Sequence, residues 1–189
     1  MVEERVPAGR PRSEQARLAV LHAVDDLLLE IGYGEMTMKN IAERAGVSRM
    51  TVYRWWATKA EILFEASAAD AAQELAIAKT GVAATDVRSY LEALARFLTC
   101  SAAGAAYRAL LGEAQHDKAV ATLLAETDVI GDSARRALED VVPELDEATL
   151  ALLVGPIVYV ALSARGRAPA LVAQHAPRFL RTIGIAPSD

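Results

Sequence analysis

Cysteine is almost missing from this chain: Cys100 stands alone among 189 residues, so no disulfide framework can form within it. Lying in the apolar stretch FLTCSAAG, it is expected to be a small buried thiol with no redox role. An excess of positive charge is also lacking, the formal net charge being −5. The first fifteen residues hold Glu3, Glu4, Arg5, Arg10 and Arg12 and no apolar core segment, so a cytoplasmic protein without a secretory leader is expected. No apolar run suits a membrane. The best, seventeen charge-free residues from Ala148 to Ala164, falls short of the roughly 20 that a span needs and has Gly155-Pro156 at its centre. That segment is expected as a helix buried on nearly all sides, inside a core or between subunits.

Strand-like alternation of apolar and polar residues is absent, which points to an all-α chain. Catalytic signatures are absent too, with no Walker loop, GxGxxG, HExxH or CxxC. His22, His116 and His175 fall in separate segments, without a Cys, His or carboxylate at ligand spacing. No enzyme activity, metal or cofactor is therefore expected.

What the chain does have is helical period and punctuation. Residues 1–12 carry Pro7, Gly9 and Pro11 between cations and are expected to be a flexible basic arm; such arms can enter a DNA minor groove or merely add charge. Ser13 is expected to cap a helix with Leu18, Leu21, Val24, Leu28 and Ile31 on one face, ending at Gly32-Tyr33-Gly34. Beyond Lys59 the pattern stays helical. One apolar face carries Val87, Tyr90, Leu91, Leu94, Phe97 and Leu98, a shorter helix carries Tyr107, Leu110 and Leu111, and a long one runs from Asp117 to Pro143. The uncharged helix from Asp146 to Arg165-Gly166 follows, then a last helix from Pro169 to Ile183 that Pro177 should kink. About nine helices are expected.

The stretch Thr37 to Lys59, TMKNIAERAGVSRMTVYRWWATK, is the most specific part. Thr37 can cap a short helix with Ile41, Ala42 and Ala45 on one side, and Gly46 supplies the left-handed residue that ends it. Ser48 can cap a second helix with Val52 and Trp56 inward, and Thr58 with Glu61 forms a capping box for a third. This is a helix-turn-helix pattern, whose second helix places its N-terminal residues against base edges in the major groove. Charge does not oppose that reading. Residues 1–60 carry nine Lys/Arg against eight Asp/Glu, whereas residues 61–189 carry eleven against seventeen, so the acidity sits in the second part.

With Ile41-Ala42 before Ala45-Gly46-Val47-Ser48, then Thr51-x-Tyr53, an aromatic at Trp56 and Lys59, residues 13–66 closely resemble the TetR family of bacterial transcriptional repressors. Met50 and the Trp55-Trp56 pair depart from its usual residues. The resemblance implies a helix-turn-helix domain over 13–60, followed by a ligand-binding and dimerisation domain over 61–189. It also implies a homodimer on double-stranded operator DNA, released by a small, mostly apolar effector, with no membrane involved. Thr37, Ser48, Tyr53 and Lys59 would then hold phosphates, with a less defined backbone contact at Trp55. Arg49 would read a base, Thr51 could meet a thymine methyl, and Lys39 and Met50 would add cationic and apolar contacts. An effector cavity is expected around Phe64, Ala68, Tyr90, Leu94, Phe97, Tyr107, Arg108, Leu111 and His116. The dimer interface is expected on the last two helices, at Gly155, Val158, Ala161, Leu162, Leu171 and Phe179.

Overall fold

The structure, a computed structural model, describes residues 10–142, 144–163 and 168–185. Those residues form ten α-helices and no strand: α1 Arg10–Glu35, α2 Met38–Arg44, α3 Arg49–Tyr53, α4 Lys59–Glu74, α5 Ala83–Cys100, α6 Ala102–Glu113, α7 Lys118–Glu126, α8 Val129–Leu138, α9 Glu147–Leu162 and α10 Ala168–Thr182. The chain divides into two compact units, residues 1–66 and 67–189. Helix α4 belongs partly to each.

Most of the expected arm and the expected stops at Pro143 and Arg165-Gly166 lie outside the described residues. From Arg10, however, the chain is already helical, so Ser13 sits inside α1 and caps nothing. Pro11 is tolerated there because first-turn amides have no helical acceptor. Gly32, at φ 75°, breaks α1 before its last residues, as its sequence suggested.

In the first unit Val20, Leu21, Val24 and Leu27 of α1 join Met36, Ile41, Val52, Trp56, Ile62 and Leu63 in the core. The expected stripe of α1 is shifted, because Leu18 and Ile31 are exposed. The second unit is built around α5, which packs against α6, α8, α9 and α10. Its buried face holds Val87, Tyr90, Leu91, Leu94, Phe97 and Leu98, the residues its period predicts. Cys100 corrects the expectation of a buried thiol: as the last residue of α5 it is exposed.

The long helix expected from Asp117 is two. Thr127 leaves the helical region, and Asp128 starts α8 by accepting the Gly131 N–H at 2.9 Å. Pro177, expected to kink the last helix, lies inside a continuous α10. His175 Nε2 meets the Leu153 carbonyl at 2.8 Å, which ties α10 to α9. No helix among the described residues is long and apolar enough to cross a membrane.

Candidate nucleic-acid interface

The reading head is assembled by caps and a turn. Thr37 caps α2, its hydroxyl accepting the Asn40 N–H at 3.3 Å while Asn40 Oδ1 accepts the Thr37 N–H at 2.7 Å. Helix α2 ends in a Schellman turn around Gly46 at φ 67°, with Val47 N–H donating to Ala42 O at 3.0 Å and Gly46 N–H to Glu43 O at 3.2 Å. Ser48 then caps α3 by accepting the Thr51 N–H at 3.1 Å, and its hydroxyl lies 2.9 Å from that of Thr51. A five-residue helix cannot hold itself in water, so packing must orient it. Val52 and Trp56 do so from below, both buried, and Trp56 Nε1 donates to Glu65 Oε2 of α4 at 2.9 Å.

With Val52 inward, the outer face of α3 is open. Arg49, Met50, Tyr53 and Arg54 are exposed, Met50 to 82%. Neither Arg49 nor Arg54 has a carboxylate partner among the described residues. Arg54 caps the end of α3 with its guanidinium carbon 4.8 Å from the centre of the Trp55 ring, which in turn meets Trp56 edge-on at 5.5 Å. Met50, Thr51, Tyr53 and Arg54 line a shallow cleft of about 400 Å³. Arg54 is the member of this face that the sequence reading left out of the contact set, although its place directly after Tyr53 was a signal. Lys39 is exposed on α2, 3.8 Å from Glu43.

Lys59 is placed differently from expectation. Its ammonium donates to the carbonyls of Tyr33 at 2.7 Å and Met36 at 2.9 Å, and lies 4.1 Å from the centre of the Tyr33 ring. It closes the C-terminal end of α1 onto the start of α4. Arg44 adds a second tie, paired with Glu30 and, at 3.7 Å, with Asp26 of α1. The α4 start is capped as expected: Thr58 accepts the Glu61 N–H at 3.2 Å, and Glu61 reaches back to the Ala57 N–H at 2.8 Å.

In the second unit Tyr90, Leu94, Phe97, Tyr107 and Leu111 come together, but as parts of one packed cluster. The Tyr90 hydroxyl donates to Ile130 O at 2.9 Å and lies 2.9 Å from Ser133 Oγ. Burial pushes the Tyr107 hydroxyl up to about 12, with the Asp128 charge adding to it. His116 is exposed in the turn after α6, away from that cluster. Two open pockets lie elsewhere: one of about 220 Å³ bordered by Leu75, Ile77, Lys79 and Arg136, and one of about 590 Å³ bordered by Leu124, Asp128, Arg135, Leu150 and Val154. Of the expected interface residues, Gly155, Val158, Ala161 and Leu171 are half-buried and Leu162 is exposed, whereas Phe179 fills its own core at 2% exposure and has no surface left to offer.

Residues 20–66 match the model of bacterial regulatory proteins of the tetR family. An uncharacterized HTH-type transcriptional regulator of Bacillus subtilis (strain 168), YdeS, is 41% identical over 113 residues. That match spans 60% of this chain and only 57% of the relative. The crystal structure of the TetR family transcription regulator SCO0332 is 26% identical, covers 92% of this chain and all of its own, and superposes with a TM-score of 0.66. RolR, solved with the ligand resorcinol, shares the fold at 15% identity and a TM-score of 0.62, over 93% of this chain and 91% of that one. Over residues 20–66 the chain is thus similar to the DNA-binding segment of the tetR family, and over nearly all its length it shares the fold of a TetR family transcription regulator.

Proposed function

We propose that the chain is a ligand-responsive regulator of transcription, a repressor, that binds a near-palindromic operator as a homodimer and leaves it when a small effector binds the second unit. The observation that carries the reading is the outer face of α3. Two arginines without carboxylate partners among the described residues, an 82% exposed methionine and an exposed tyrosine stand on a helix whose orientation Val52 and Trp56 fix from beneath. A solvated surface helix has no need of an exposed Met beside unpaired cations; a helix that meets base edges and phosphates does.

Arg49, in the first turn of α3, reads a guanine, and Met50 and Thr51 offer apolar contact to a thymine methyl. Thr37, Lys39, Ser48, Tyr53 and Arg54 face phosphates, with Trp55 holding the Arg54 guanidinium in place. Lys59 acts on DNA indirectly, by setting the angle of the reading head. The two heads of a dimer would lie about one helical turn, ~34–36 Å, apart or a multiple of it. Effector release is supported by the two-unit organisation and by RolR, a protein of this fold that holds a small aromatic ligand. Helix α4 is the link, since it starts at the Lys59 clamp and ends in the second unit. Coupling of about 1–3 kcal/mol, roughly 5- to 150-fold in DNA affinity, is enough for such a switch.

The test is selection of binding sites from a random duplex pool with the wild-type chain and with Arg49→Ala. Wild type should return a two-fold symmetric site, and Arg49→Ala should lose preference at one position per half-site, a discrimination of about 1–3 kcal/mol. An Arg49→Ala site logo identical to that of wild type would end the base-reading assignment.

A further inference from the structure

A five-residue helix such as α3 depends on its surroundings for two things, its depth and its rotation about its own axis. Val52, wholly buried, fixes the depth, but an apolar contact has no direction. Direction comes from Trp56. Its backbone N–H donates to the Val52 carbonyl at 3.1 Å, so the ring is carried by the last turn of α3, and its indole Nε1–H donates to Glu65 Oε2 of α4 at 2.9 Å. The other oxygen, Glu65 Oε1, is buried, and the Arg17 guanidinium of α1 holds it as an ion pair. Arg17 is itself steadied by Glu14 at 3.1 Å. One carboxylate thus joins α1, α4 and the end of α3.

Stability alone does not call for this arrangement. A half-buried ion pair contributes little, and apolar groups of the same shape can fill such a site as well. What a directional hydrogen bond supplies is aim. Side-chain tips ride about 5–6 Å from a helix axis, so a rotation of about 20° swings them by about 2 Å. A base-edge hydrogen bond does not tolerate that displacement.

We propose that Glu65 is the positioning residue of the reading head: its carboxylate, clamped by Arg17, sets the rotation of α3 through the Trp56 indole and so decides whether Arg49 meets a base edge. This rests on the operator-binding reading above and adds the residue through which α4 holds the recognition helix. Phosphate contacts are less exacting, because Thr37 and Lys39 lie outside α3. Loss of Glu65 should therefore remove sequence preference before it removes affinity for duplex as such.

The experiment compares the full wild-type chain with Glu65→Met, Glu65→Gln and Trp56→Phe, at a temperature where circular dichroism shows each variant folded. The operator selected by the wild type and a random duplex are titrated side by side. Glu65→Met and Trp56→Phe should lower the preference for operator by about 5- to 150-fold per half-site, the worth of one base contact, with random-duplex binding nearly unchanged. Glu65→Gln, which keeps an acceptor for the indole, should recover part of the preference. The Trp56 indole N–H resonance, identified by its absence from the Trp56→Phe spectrum, should move in Glu65→Met and stay close to its wild-type position in Glu65→Gln. If Glu65→Met does not fold, Glu65→Gln and Trp56→Phe carry the same contrast. Wild-type preference in Glu65→Met or Trp56→Phe, equal losses on operator and random duplex, or a Glu65→Gln chain no better than Glu65→Met would each overturn the assignment and leave operator binding standing. A wild-type chain that selects no duplex would instead end the regulator reading, and this assignment with it.

Discussion

At Lys59 a single ammonium holds two carbonyls and a tyrosine ring at the far end of α1 and the residue just beyond it, some two dozen residues earlier in the chain. Removing it takes the donor from the Met36 carbonyl and leaves the Tyr33 carbonyl with the Met36 N–H at 3.3 Å, at the joint that aims α2 and α3. Lys59→Met should therefore cost about 1–3 kcal/mol of stability and weaken binding to all duplexes alike, with the half-site logo unchanged. Urea denaturation read beside binding isotherms checks this, and a Lys59→Met chain of wild-type stability that only lost salt dependence would restore the phosphate role. Asp86 is a second residue whose surroundings set its behaviour. Burial alone would raise its carboxyl pKa, but the Thr80 hydroxyl, the Thr80 and Gly81 amides and the nearby Lys79 charge together hold it below the ordinary value. The folded chain thus binds this proton less readily than the unfolded one. Its contribution is complete above the unfolded value of about 3.9 and is lost as pH falls through the lower, folded value. Asp86→Asn should cost about 1–3 kcal/mol at neutral pH and flatten the loss of stability below about pH 4, which melting curves across pH 2–7 would show.

Element against element, α5 and α6 meet backbone to backbone. Gly104 brings the α6 backbone onto the Phe97 carbonyl, and the atoms a new Cβ would strike are backbone, which cannot swing aside. Gly104→Ala should force the helices apart at a cost of about 1–3 kcal/mol or more. The same substitution at Gly112, which has nothing within 4 Å of its Cβ position, should be neutral or slightly stabilising through helix propensity. Equal Tm values for the two variants would mean that α5 and α6 are not packed as described. The helix breaks obey the same local logic. Asp128 separates α7 from α8 by capping Gly131, and Pro177 fails to break α10 because that helix is held by its packing on α5 and α9.

For the whole molecule the unresolved demand is the surface of α9. Leu152, Tyr159 and Leu162 are each at least half exposed, and with Ala148 and Gly155 they follow one another at spacings of four and three along a single stripe. A stripe of that period suits a copy of itself across a two-fold axis, with the helices of two chains packed as a bundle. Leu152→Asp combined with Tyr159→Asp should leave the monomer folded, because neither residue is in the core, yet shift sedimentation to the monomer. It should also weaken binding to a full palindrome to the level of a half-site. A double variant that still sediments as a dimer would place the interface on another face.

Composition and spacing were enough to establish the helical class, the turn at Gly46, the caps at Thr37, Ser48 and Thr58, and the buried face of α5. Each depends on a residue's own backbone preference or on neighbours within one turn. Lys59, Cys100 and Phe179 were not legible in this way. Whether an ammonium meets a phosphate or a carbonyl 26 positions earlier, as Lys59 does at Tyr33, is decided by where distant segments are brought together. So is whether Phe179 faces a partner or its own core. Periodicity tells which side of a helix is apolar; only the packed chain decides what that side touches, because burial is a property of the neighbours and not of the residue.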